Sequence, residues 1–88
     1  MNLKRHKQFL KDWNKIKLTD GQFTKFIQYS ECLRLEKPLP EASKDHSLQG
    51  EYQDCREFHL GGDMLVIYMP CENDTVFLRL GTHSQLFK

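Results

Sequence analysis

The chain has 88 residues, of which 39% are hydrophobic and 28% charged, with a formal net charge of +1. Those figures fit one globular domain spanning 1–88, with a single modest core, and they exclude a disordered segment. No apolar run nears the ~20 residues of a membrane helix, and the basic start Met1–Lys7 lacks the apolar stretch a signal peptide needs. The three cysteines, Cys32, Cys55 and Cys71, have no framework spacing, so a reduced, cytoplasmic protein is expected.

Residues 3–18 read as a helix, with room for a very short strand before it at 1–3. Phe9, Trp13 and Ile16 recur at helical spacing with Leu10 beside them, and the lysines fall on the remaining surface. Thr19 or Asp20 can cap a second helix that runs to about Glu36, with Phe23, Phe26, Ile27 and Leu33 inward. The pair is expected to form an antiparallel hairpin whose aromatic stripe is core. Lys37-Pro38-Leu39-Pro40 stops it, because proline cannot donate the next hydrogen bond. Residues 38–50 read as a loop carrying His46. Three strands follow, at 55–60, 64–69 and 75–80, joined by Gly61-Gly62-Asp63 and by a turn at 70–74. Met64–Met69 is the most apolar and should be central. Leu86-Phe87 can fold back as an anchor. Helices first and a strand meander after predict an α+β domain, the hairpin packed on one face of a small antiparallel sheet.

Charge is divided unevenly. Residues 1–44 carry ten Lys/Arg against five Asp/Glu, a net of +5, and residues 45–88 carry three against seven, a net of −4. Such a basic half is either a solvated surface or a docking face for a polyanion.

Three of the four histidines lie in the second half, each beside a short apolar run. Strand alternation puts Arg56, Phe58 and Leu60 on one side of the first long strand, and Cys55, Glu57 and His59 on the other. Phe58 and Leu60 belong under the helices, so Glu57 and His59 face an open, concave side. On the last strand alternation groups Val76, Leu78 and Leu80 against Phe77 and Arg79. Arg79 then shares the Glu57–His59 surface, and His46 and His83 arrive from flanking loops. Zinc held by Cys55 and His59 with His83 or Cys71 is a rival, but no CxxC or HxxxH supports it. A Cys55 nucleophile lacks a local signature, and no Gly-rich phosphate loop suggests a nucleotide cofactor. No metal or other cofactor is expected. Imidazoles as base and acid, with arginine to stabilise phosphorane-like charge, equip a site to cleave RNA through its own 2′-hydroxyl.

The motifs Asp45-His46-x-Leu48-x-Gly50, Arg56-Glu57-x-His59, Asp63-x-Leu65-x-Ile67-Tyr68 and Arg79-x-Gly81-Thr82-His83-x-x-Leu86-Phe87 resemble the YafQ branch of the RelE/ParE toxins. They cover about the last half of the chain in matching order, and the helical hairpin suits that fold. The resemblance implies the toxin of a type II toxin–antitoxin pair, an mRNA interferase that enters the ribosomal A site and is neutralised by a RelB/DinJ-like antitoxin. It implies catalytic roles for His46, His59, Asp63 and His83, functional roles for Glu57 and Arg79, and a substrate contact for Phe87. His46 or Asp63 would be the base and His83 the acid. Arg56 and Arg79 would steady the charge, and Lys4, Lys7 and Lys11 would serve docking on the ribosome. The same fold also carries toxins that inhibit gyrase by binding alone. Paired titrating groups speak against that alternative, because a pure binder does not need them.

Overall fold

A computed structural model describes residues 1–87. In chain order the elements are β1 (Asn2–Arg5), α1 (Lys7–Lys15), α2 (Asp20–Arg34), β2 (His46–Ser47), β3 (Arg56–Gly61), β4 (Met64–Pro70), β5 (Asp74–Thr82) and α3 (His83–Leu86). Single 3-10 turns lie at Glu41–Ser43 and Gly50–Tyr52. The strands form one sheet in the order β1-β5-β4-β3-β2, so the apolar β4 is central, as its composition predicts.

The first helix is shorter than its pattern suggested, because residues 2–5 pair with the sheet instead. β1 runs parallel to β5, Lys4 opposite Val76 and Arg5 opposite Phe77, which makes the sheet mixed and not wholly antiparallel. His6 ends the strand and caps α1, its Nδ1 accepting from the Gln8 N–H at 3.1 Å. Lys4 is therefore on a strand, 3.0 Å from Asp74, and not in line with the helical lysines.

Thr19 opens α2 with a capping box: its hydroxyl accepts from the Gln22 N–H, and the Gln22 side chain accepts from the Thr19 N–H. At the other end Lys37 N–H donates to Cys32 carbonyl and Glu36 N–H to Leu33 carbonyl, the Schellman pattern. It places Glu36 in the left-handed region at φ 57°.

Both helices lie on one sheet face. Phe9 of α1 and Phe26 and Tyr29 of α2 pack with Phe58, Leu60, Val66, Tyr68, Phe77 and Leu80. Phe23 and Ile27, expected inward, are exposed, and Tyr29 takes the inner position. The strip that faces the sheet is narrow, and Phe23 instead flanks Trp13 at the hairpin's outer edge, ring centroids 6.4 Å apart.

The opposite face carries a smaller cluster, Cys55, Leu65, Ile67 and Leu86. α3 closes over it because position 81 is glycine: a Cβ there would stand 3.0 Å from Gln85 Oε1 and 3.2 Å from Leu86 Cδ2. Thr82 caps α3 with a second capping box to Gln85, and Leu86 is buried, as the anchor reading required.

Candidate active site

Two cross-strand neighbours begin the site. β2 pairs antiparallel with β3, setting His46 opposite Glu57. His46 is thus on a two-residue edge strand and not in an open loop. Its Nε2 lies 3.0 Å from Glu57 Oε1, and His59, two residues along β3, brings its own Nε2 to 3.3 Å from the same oxygen. The two imidazoles stack with centroids 6.1 Å apart. Glu57 was expected on an open surface, but it is only 4% exposed, because the rings and the second cluster cover it. Its Oε2 is buried with no hydrogen-bond partner among the described residues.

The second ring nitrogen of His46 sets its tautomer. Nδ1 is 2.7 Å from the Lys44 carbonyl, and a carbonyl can only accept, so Nδ1 carries a proton. The Glu57 carboxylate at Nε2 also accepts, so that contact is a hydrogen bond only when a proton lies between Nε2 and Oε1, and on a neutral ring the Nε2 lone pair faces it.

The remaining expected groups sit along the same side of the sheet. Asp63 is exposed in the β3–β4 turn, where Gly62, at φ 57°, makes the tight reversal possible. The Asp63 carbonyl accepts from the His83 N–H at 3.2 Å, tying the start of α3 to that turn. His83 is exposed and its ring packs against Phe87 with centroids 4.8 Å apart. Phe87 in turn meets Tyr52 edge to face at 5.8 Å.

Arg79 lies opposite Ile67, which lies opposite Glu57, so it belongs to the histidine face as expected. The alternation used to reach that result fails beside it. A bulge between the Tyr68–Phe77 and Ile67–Arg79 pairs makes Leu78 an extra residue, so Phe77 and Leu80 both enter the helix-side core, and Leu78 joins the other cluster. Arg79 is held by a residue that sequence reasoning missed. Asp12 of α1, 8% exposed, accepts from Arg79 Nε at 2.8 Å and Nη2 at 3.3 Å, and from the Leu80 N–H at 2.9 Å. That hydrogen bond is the chief reason the guanidinium holds its proton more tightly than usual. The signal was present: Asp12 falls between Phe9 and Ile16 on the apolar stripe of the helix, where an unpaired carboxylate would be costly.

Arg56 lies opposite Tyr68 on the helix-side face, where alternation put it, away from the histidines. Its Nε and Nη2 donate to Asp45 at 3.3 and 3.2 Å, and the Tyr68 hydroxyl donates to the same carboxylate at 2.5 Å. A place for Arg56 beside the reacting phosphate does not fit that geometry. Lys7 and Lys11 are exposed on α1.

The donor set His46, Glu57 and His59 could also hold a metal, since one ligand atom from each lies within 4.8 Å of the others. It differs from the cysteine-containing set weighed above. Cys55 is buried in the second cluster, and burial pushes its thiol pKa up, away from ligand or nucleophile chemistry.

The family described as "Bacterial toxin of type II toxin-antitoxin system, YafQ" matches residues 1–88. The chain belongs to this family. It is 42% identical to an mRNA interferase toxin YafQ of Escherichia coli K12 across 57% of this chain. The chain aligns with only 54 to 65% of the length of the curated relatives it matches. Among solved structures, YafQ in the E. coli DinJ–YafQ complex superposes with a TM-score of 0.83 at 30% identity, covering 99% of this chain and 98% of that one. A copper-bound point mutant of a Helicobacter pylori toxin gives 0.83 at 32% identity, covering 98% of each chain. The α+β architecture with its mixed five-stranded sheet is that of the YafQ structures. No helix among the described residues is long and apolar enough to cross a membrane.

Proposed function

We propose that the chain acts as one domain, the toxin of a type II pair: a cytoplasmic endoribonuclease that cuts mRNA in the ribosomal A site and is silenced by a DinJ-like antitoxin. The observation that carries this reading is the pair of histidines bridged by buried Glu57 on the open sheet face. The name of the E. coli relative and the DinJ complex of a structural neighbour support it.

In this mechanism His46 is the base. Its side chain is 52% exposed, so a ribose hydroxyl can reach the ring. The proton taken from the 2′-hydroxyl settles between Nε2 and Glu57 Oε1, and His59 holds Glu57 in place from the other side. Asp63 is the alternative base. The 2′-oxygen attacks the adjacent phosphorus, the P–O5′ bond breaks, and His83 gives its proton to the leaving 5′-oxygen, which leaves a 2′,3′-cyclic phosphate. Arg79 stabilises the charge that develops on the phosphoryl oxygens, and Phe87 steadies the His83 ring. Acid and base at ~10²–10⁴-fold each would lower the barrier by very roughly 5–11 kcal/mol. The ribosome supplies the alignment, so naked RNA should be a poor substrate. Lys7 and Lys11 favour docking on ribosomal RNA, and Lys4 less so because Asp74 already pairs with it.

Primer extension on translated mRNA tests the reading. His83→Ala should bind ribosomes yet cut poorly, and should recover most of its rate when sulfur replaces the 5′-bridging oxygen, because a thiolate leaves without a proton. His46→Ala should not recover. Equal defects of His83→Ala on both substrates would remove the acid role.

The donor set supports a second role. His46, Glu57 and His59 together would hold copper(II) or a similar late divalent ion, as the orphaned Glu57 Oε2 and the copper-bound neighbour suggest. A bound ion would occupy the lone pair that the base needs. Copper(II) should therefore inhibit cleavage and a chelator restore it, and calorimetry should find one site that Glu57→Gln weakens.

A further inference from the structure

Between the Gly50–Tyr52 turn and α3 lies a cleft of about 590 Å³ lined by Gln49, Glu51, Tyr52, Arg79 and Phe87, among others. It starts where His83 ends. Phe87 packs on His83 with one side, at 4.8 Å between centroids, and meets Tyr52 at 5.8 Å, so one ring separates the proposed acid from the cleft.

The lining has the parts that a nucleotide needs. Tyr52 and Phe87 are half-buried rings against which a base can lie. Arg79 is 26% exposed at its side chain, and of its five N–H groups one on Nε and one on Nη2 go to Asp12. Tyr52 also lies close enough to hydrogen-bond the guanidinium, and the N–H groups that neither partner takes form a fork that suits a phosphate. Asp12 stops the guanidinium from turning, so the fork is set before RNA arrives. Glu51 and Gln49 are exposed and polar. A carboxylate in the cleft repels phosphate from its own position and accepts from a base amino group.

We propose that this cleft seats one mRNA nucleotide flanking the bond that is cut, with its phosphate on Arg79 and its base against Tyr52 and Phe87, and that Glu51 and Gln49 select an amino-bearing base over uracil. Uracil offers the Glu51 carboxylate only an N3–H flanked by two repelling carbonyl oxygens, whereas adenine, cytosine and guanine carry amino hydrogens at the edge of the base. The inference rests on the ribonuclease reading above and names the specificity surface of that same site.

The experiment uses ribosomes loaded with mRNAs randomised across the A-site codon and one nucleotide to either side, cut by the wild type, Glu51→Ala and Gln49→Ala. Both positions are exposed, and matching melting temperatures would confirm that the variants fold. The preference for an amino-bearing base over uracil should fall by about 5- to 10-fold at one position with Glu51→Ala, the low end for a single base-edge contact. Gln49→Ala should relax the same position. Unchanged base counts at every position in both variants would overturn the cleft assignment. A wild-type protein that cuts none of these messages would overturn the ribonuclease reading instead, so the two failures are distinct.

Discussion

Consecutive residues of β3 and of the segment beside it build two polar clusters on opposite faces of the sheet. On the helix side Asp45, Arg56 and Tyr68 close on one another: one carboxylate receives two guanidinium N–H groups and a phenol. On the other side His46 and His59 converge on one Glu57 oxygen, and the second, buried oxygen has no partner among the described residues. The difference teaches where to look for chemistry. A closed network has spent its hydrogen-bonding capacity on the fold. A buried carboxylate left half satisfied gives up stability, and it keeps a place for a proton or a ligand.

The largest expected contrast comes from cutting each cluster at its carboxylate. Glu57→Gln should lower ribosome-dependent cleavage by about 10²-fold or more, the weight of one acid–base element. It should leave the melting temperature level or raise it, since a poorly paired charge leaves the interior. Asp45→Ala should do the opposite. It strands the buried Tyr68 hydroxyl and unpairs Arg56, at a cost of about 1–3 kcal/mol, while cleavage per folded molecule falls far less than with Glu57→Gln. Thermal melts and primer extension on both variants decide it, and a stability loss in Glu57→Gln as large as in Asp45→Ala would erase the distinction.

A smaller effect lies in the alkaline range. Burial first, and the hydrogen bond to Asp45 second, raise the Tyr68 pKa above its ordinary value of 10.0. A raised folded-state pKa means that the unfolded chain loses this proton first. The stabilisation is therefore complete below pH 10.0 and is lost as pH climbs from there toward the folded-state value. Tyr68→Phe should flatten this part of the stability–pH curve between pH 9 and 11 without moving the pH dependence of cleavage near neutrality. A matched alkaline slope in both proteins would contradict the assignment.

The smallest change sharpens the rest. Glu36 occupies the left-handed position just past the α2 C-cap, which glycine fills without strain. Glu36→Gly should add about 0.5–1 kcal/mol, a few degrees in melting temperature for a chain of this size, with cleavage unchanged. It would supply a sturdier background for the Asp45 and Glu57 variants. A lower melting temperature would show that the Glu36 side chain contributes more than its backbone strain costs.

The strand β3 and the central place of β4 were legible from the chain alone, because side-chain alternation and apolar content are local properties. So were the Thr19 cap and the Leu86 anchor, each set within a few residues. Glu57 and His59 could be put on one face for the same reason, the histidine pattern itself pointed to His46 and His83, and the family resemblance gave Phe87 its substrate role. What required the tertiary structure depends on partners distant in sequence. The bulge at Leu78 exists only in the pairing of β5 with β4, and it overturns alternation after Phe77. β1 carries no apolar alternation, since all four of its residues are exposed, and only the free edge of β5 makes it a strand. Asp12 meets Arg79 across 67 positions of the chain. The burial of Glu57 beneath two imidazoles follows from its place between its sheet neighbours on β2 and β4. Local periodicity orients a side chain, but contacts that close only when the sheet assembles decide what then covers it.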